Sequence, residues 1–193
     1  MGGRVRSTYE ECAPLRAQLH ERAAAGRALW EARVPPVPEE GPITVVLVGC
    51  VAQKAAQRMA ARDLYVSPLW RCRRGYAERE APRRWLILSA AFGLVHPDEV
   101  LSPYNRTLAD ERKGEREAWG RRAAAGLRAY RYGPPARLRV EVHAGEAYRQ
   151  FLVPRLGEMG MEVVEPLAGL GIGSQLEWYS QRTAAQLPLW ESA

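Results

Sequence analysis

Apolar positions along the chain follow two rhythms. From residue 43, two short continuous apolar runs, ITVVLVG (43–49) and RWLILSA (84–90), and two further strand-like runs, LRVEVHAG (138–145) and MEVVEPL (161–167), are separated by longer stretches whose apolar residues recur every three or four positions. Continuous β-branched runs mark strands covered on both faces. The pattern therefore predicts four strands, with helices at about 52–61, 68–79, 107–132, 145–158 and 173–186. Strands alternating with helices imply right-handed crossovers, so the expected fold class is α/β: a three-layer α/β/α sandwich around a mainly parallel four-stranded sheet. Residues 7–33 place Leu15, Leu19, Ala23 and Trp30 at helical spacing behind a Ser7 or Thr8 cap, and predict an N-terminal amphipathic helix. VPPVPEEGP (34–42) cannot continue that helix and reads as an extended linker. The expected organisation is a helical extension and linker at 1–42, the α/β domain at 43–187, and a tail at 188–193 that carries Trp190.

Composition narrows the classes. At 193 residues one domain is the default, burying roughly 70% of the surface that the unfolded chain exposes. No run reaches the ~18 to 20 apolar residues of a membrane span, and MGGRVRSTYEEC lacks the apolar stretch of a signal peptide, so a cytoplasmic protein without a membrane partner is expected. Cys12, Cys50 and Cys72 are odd in number and form no CxxC, which argues against a disulfide framework and a structural zinc site. The chain has 28 Lys+Arg against 22 Asp+Glu and a net charge of +6. Lys54 and Lys113 are the only lysines, and every other basic residue is Arg, the better fork for phosphate and the better stacking partner for bases. This composition fits a nucleic-acid partner and fits a purely solvating surface equally well.

In an open parallel sheet, ligands bind beyond the carboxyl ends of the strands. All four predicted ends carry small and polar residues: Gly49, Cys50 and Lys54 after the first; Ser89, Phe92 and Gly93 after the second; His143 and Gly145 after the third; GLGIG (169–173) after the fourth. In GLGIG, Gly169 and Gly171 open a helix holding Gln175, and they serve either an anion at the helix N-terminus or a tight turn. ARDLYVSPLW (61–70) admits two readings: Ser67 caps the helix starting at Pro68 while Asp63 and Tyr65 anchor a loop, or Tyr65 stacks on a base and Ser67 binds phosphate. The twenty residues from 89 to 108 are long for a βα connection, and long ordered loops are usually functional. Within them Asp98 or Asn105 can position water and Phe92 or Tyr104 can sandwich a planar ring, or Asp98 can cap a turn and Asn105 or Thr107 the following helix. Cys50 reads either as a nucleophile or as a small packing residue. The chain has no P-loop, no GxGxxG after strand one, and no HExxH or GxSxG. Nucleotide-cofactor, metal-hydrolase and α/β-hydrolase chemistry are disfavoured, and neither cofactor nor metal is expected.

GCVAQK (49–54), ARDLYVSPLW (61–70), LSAAFGLVHPDEVLSPYNRTL (88–108), HAGEAYRQFL (143–152) and PLAGLGIGSQLEW (166–178) together resemble a bacterial and phage family of small proteins of unknown function. They are distantly similar to the domain following the catalytic barrel of archaeosine tRNA-guanine transglycosylases. The resemblance spans about residues 43–180 and implies the three-layer architecture of the uracil-DNA glycosylase superfamily, whose strand-end loops build a base pocket. The chain has neither Gly-Gln-Asp-Pro-Tyr-His nor His-Pro-Ser-Pro, so only the pocket's position carries over.

The leading expectation is a DNA glycosylase-like N-glycosidase that flips a damaged or modified base from DNA, with RNA the second choice of partner, and breaks the glycosidic bond through an oxocarbenium-like sugar. Asp63, Asp98 or Asn105 would orient water. Tyr65, Phe92 and Tyr104 would stack, while Cys50, Lys54, Ser67, Ser89, His143, Gly169, Gly171 and Gln175 line the pocket. Arg71, Arg73, Arg74, Arg83 and Arg84 would contact the nucleic-acid backbone. A non-catalytic module recognising a modified or unpaired base, and an enzyme acting on a small nucleotide, are the alternatives.

Overall fold

A computed structural model of the chain describes residues 36–184. The amphipathic helix expected at 7–33 and the tail at 188–193 lie outside the described residues.

Strand β1 (Ile43–Gly49) is the centre of the sheet, with β3 (Trp85–Ser89) parallel on one side and β6 (Leu138–His143) parallel on the other. Beyond β6 lies β7 (Glu162–Val164), also parallel, and beyond β3 an antiparallel edge strand, β4 (Gly93–Val95). The sheet therefore has five strands, not four. The extra strand comes from the long 89–108 connection, which turns back at Ala90–Phe92 and pairs Leu94 with Leu88. Gly93, at φ +74°, takes the left-handed conformation that this reversal requires.

Alternate β1 residues enter two separate cores. Ile43, Val45 and Leu47 pack with Trp119, Leu127, Leu152 and Leu156 on one face; Val46 and Val48 pack with Trp70, Ala77 and Ile87 on the other. The first face is covered by α3 (Lys113–Ala129), which buries Trp119, Ala123 and Leu127, and by α4 (Glu146–Glu158), which buries Tyr148, Leu152 and Leu156. The second is covered by α2 (Pro68–Glu80) and by α5 (Ile172–Ala184), which returns across the sheet to pack on α2. Two helical layers enclosing a mostly parallel sheet form the expected sandwich.

One expected element is absent. The Ala-rich stretch at 52–61 was predicted helical, but its backbone pairs with the segment before α2: Ala55 N–H donates to Leu64 O and Val66 N–H to Gln53 O. Helix propensity of a few tenths of a kcal/mol per residue yields to such tertiary pairing. A short strand β2 (Met59–Ala60) and a single helical turn α1 (Ala61–Leu64) follow, with β2 antiparallel to β5 (Val100–Leu101).

Candidate functional site at the carboxyl ends of the strands

The chain leaves β1 for β3 on one side and later crosses to β6 on the other, so strand order reverses between β1 and β6, the position where open α/β sheets bind ligands. There Gly49 is required by close approach: a Cβ would stand 2.9 Å from Ala144 Cβ and 3.1 Å from its Cα. Cys50 follows, half-buried, with Sγ 3.2 Å from the Tyr148 hydroxyl that α4 brings up from below.

The loop after Cys50 curls so that Lys54 bridges to Tyr65, and the Lys54 Nζ donates to Val51 O at 3.3 Å and Ala52 O at 3.2 Å. Nζ also lies 4.2 Å from the centre of the Tyr104 ring and 5.6 Å from that of Tyr65. Burial lowers the Lys54 pKa. Among the described residues Lys54 forms no ion pair with a carboxylate.

At the end of β3, Ser89 organises the hydroxyls. Its Oγ accepts from Ala91 N–H and Phe92 N–H at 3.2 and 3.1 Å. With both lone pairs engaged, the Ser89 hydrogen must go to Tyr104 Oη, 2.8 Å away. Tyr104 Oη in turn lies 2.8 Å from the Tyr65 hydroxyl. Burial holds the Tyr104 phenol well above its ordinary pKa, so it remains a donor at neutral pH. Phe92 meets Tyr104 edge to face with centroids 5.2 Å apart, and Trp119 locks the strand end by donating to Ser89 O at 2.9 Å. Cys50, Lys54, Tyr65, Ser89, Phe92 and Tyr104 thus meet at the ends of β1 and β3, where Tyr65, Ser89 and Phe92 are buried and Cys50, Lys54 and Tyr104 keep part of their surface.

The structure draws other predicted site residues into the interior. Arg73, assigned from sequence to a nucleic-acid contact, is 4% exposed; it donates to Gly49 O at 2.9 Å and to Gln175 Oε1 at 3.0 Å. Its position on the inner face of α2, beside Trp70 and Ala77, places it there. Gln175 passes the connection on by donating to Leu170 O at 2.8 Å. His143 is fully buried, with Nδ1 2.7 Å from the Tyr179 hydroxyl and Nε2 3.4 Å from Glu141 Oε2. Burial lowers the His143 pKa, whereas the hydrogen bond from His143 holds the Glu141 carboxyl below its ordinary value. An ionised Glu141 only accepts, so Nε2 carries the proton and Tyr179 donates to Nδ1. Tyr76 donates to the same Glu141 oxygen at 2.8 Å.

The remaining candidates sit outside both groups. Ser67 caps α2, accepting from Trp70 N–H at 3.0 Å. Asp63 is half-exposed and pairs with Arg74 at 2.6 Å; Asp98 pairs with Arg62 at 2.6 Å. Asn105 is exposed and adjoins Tyr104 in sequence. Gly169 adopts φ +73° in the turn before α5, and Gly171 is exposed at that helix's start. Arg71 and Arg74 lie in the first half of α2, near the carboxyl edge. Arg83 and Arg84 precede β3 at its amino end, with Arg84 donating to Pro36 O, so they lie across the sheet from the cluster. Two open hollows of about 420 and 400 Å³ also lie at that amino edge, lined by Arg137 and Glu162 and by Leu127, Tyr132 and Met161, and no predicted site residue lines either.

Sequence reasoning missed Tyr148, Tyr76, Glu141 and Tyr179. Glu141 left a legible signal, a carboxylate between two valines inside a predicted strand; the tyrosines left only helical spacing. Among the described residues no group of three or more His, Cys, Asp or Glu is placed to hold a metal ion, and no helix is long and apolar enough to cross a membrane.

A family model described as a family of unknown function (DUF6884) matches residues 45–181, from within β1 to within α5. No curated protein and no solved structure matches the chain.

Proposed function

The chain belongs to this family of unknown function, and from its strand-end cluster we propose that it is an N-glycosidase that excises a modified or damaged nucleobase from DNA. The observation that carries the reading is the convergence of Tyr65, Phe92 and Tyr104 with Ser89 and Lys54 at the carboxyl ends of β1 and β3. The partly exposed Tyr104 ring suits a planar base, its phenol, kept protonated by burial, suits a carbonyl or ring-nitrogen acceptor, and the Lys54 cation suits the phosphate. The resemblance of the strand-end motifs to base-pocket folds supports the same reading, and the uracil-DNA-glycosylase-like form of the sandwich belongs with it. Asn105, exposed beside Tyr104, is the best placed of the three water-orienting candidates.

Duplexes carrying a panel of modified and damaged bases, treated with enzyme and then with hot alkali, test the proposal. Strand cleavage at one modification, reduced at least tenfold in Tyr104→Ala, is the expected result. One observation favours a second reading as a non-catalytic module: Asp63 and Asp98 are both held in arginine pairs. Tight binding of a modified duplex with no abasic product would establish that alternative.

A further inference from the structure

The chain writes its positive charge as arginine at every position but two. Lys113 is a surface residue with 78% of its side chain exposed, so the cation placed in the strand-end cluster, Lys54, is the one exception at a site. Arginine would supply charge, phosphate contact and ring stacking at least as well. What lysine adds is an amine that can lose its proton and act as a nucleophile. The surroundings of Nζ suit that use. Val51 O and Ala52 O are two acceptors, the number a neutral amine's two N–H groups can satisfy, and this leaves the lone pair of nitrogen directed away from them. Burial without a carboxylate partner lowers the cost of shedding the proton.

We infer that Lys54 captures the aldehyde carbon C1′ of a base-free deoxyribose as an imine, making the cluster an abasic-sugar lyase. The inference rests on the base-excision reading, whose product is that sugar. The neutral amine adds its lone pair to C1′, and the carbonyl π pair moves to oxygen, which takes a proton. Loss of water from this carbinolamine gives the protonated imine. Water then takes a C2′ proton, the C2′–H pair forms the C2′=C3′ double bond, and the C3′–O bond breaks with its pair leaving on the 3′ phosphate, which severs the strand; hydrolysis of the imine returns the amine.

Borohydride reduces an imine to a stable secondary amine, and two lysines make the trapping unusually clean. Wild-type protein is mixed with a duplex containing a preformed abasic site, reduced with borohydride, and digested for mass spectrometry, alongside Lys54→Arg and Lys113→Arg. The expected result is a covalent adduct mapped to Lys54, lost at least tenfold in Lys54→Arg and retained in Lys113→Arg. Peptide mapping of the wild-type adduct stands even if Lys54→Arg fails to fold. An adduct on Lys113 or the N-terminus, or none at all, overturns the inference. The modified-base panel run in parallel separates the two proposals. Base excision without an imine removes the lysine chemistry alone, whereas an imine on abasic DNA without excision of any base removes the glycosidase reading and leaves a lyase.

Discussion

Arg73 shows how a charged residue can serve a site without touching its ligand. Its guanidinium fixes the Gly49 carbonyl, one residue before Cys50, and ties it to Gln175 of α5. Replacing it by Met leaves two buried acceptors without donors, each worth about 1–3 kcal/mol. Denaturant unfolding of Arg73→Met is expected to show a loss of roughly 3 kcal/mol, and a loss below about 1 kcal/mol would show that the guanidinium carries little weight. His143 sets the response to acid. Its folded pKa lies below the unfolded value of 6.5, so under that pH the unfolded chain binds more protons and stability falls as pH drops toward the folded value. Glu141, likewise below its ordinary 4.5, adds a second loss that begins only in the carboxylate range. The melting temperature should therefore start to decline just under pH 6.5, and His143→Gln should flatten the profile between pH 6.5 and 5. An unchanged slope in that variant would assign the decline elsewhere.

Among the elements, the tightest joint lies between α3 and α4. A Cβ on Gly120 would come within 2.3 Å of the Phe151 carbonyl oxygen, a backbone atom that cannot swing aside. Gly120→Ala should therefore cost about 2 kcal/mol or more, by the measure of overpacked cores, in spite of alanine's better helix propensity. Calorimetry showing stabilisation would mean that the helices separate freely. The same elements show what a single sequence makes legible. Strands β1 and β3 were readable because burial on both faces forces unbroken apolar runs, β6 because its buried Leu138, Val140 and Val142 alternate with the partly exposed Arg139 and Glu141, and α2 because Ser67-Pro68 is a local start signal. Strands β2, β4 and β5 hold two or three residues each, too few for any periodicity to register; β2 and β5 are created by pairing with each other far along the chain, and β4 by the hairpin return onto β3. At the site, the structure brings Tyr104, read from the long 89–108 connection, together with Cys50, Lys54, Ser89 and Phe92, read from the strand-end rule. That rule could not tell the inner from the outer face of α2, so Arg73 and Arg74, adjacent in sequence, received one role although the helix sends them to opposite environments.

Over the whole molecule, the arginines read from sequence as one footprint divide between the two edges of the sheet. If DNA approaches the cluster, Arg71→Ala should lower the salt dependence of binding by about one unit of log–log slope, while Arg83→Ala should leave it unchanged. Titration of a modified duplex at several salt concentrations measures both, and equal effects would mean that the nucleic acid does not enter by the carboxyl edge. The molecule is also closed by its last described helix. Gln175 and Tyr179 meet Arg73 and His143, residues made 102 and 36 positions earlier. During synthesis the emerging chain must hold a guanidinium and an imidazole in waiting, and the central strand's exit loop has no fixed floor until α5 leaves the ribosome. Completion of the site thereby waits for α5, so a chain cut short before α5 would carry every residue of the strand-end cluster and still lack a settled site.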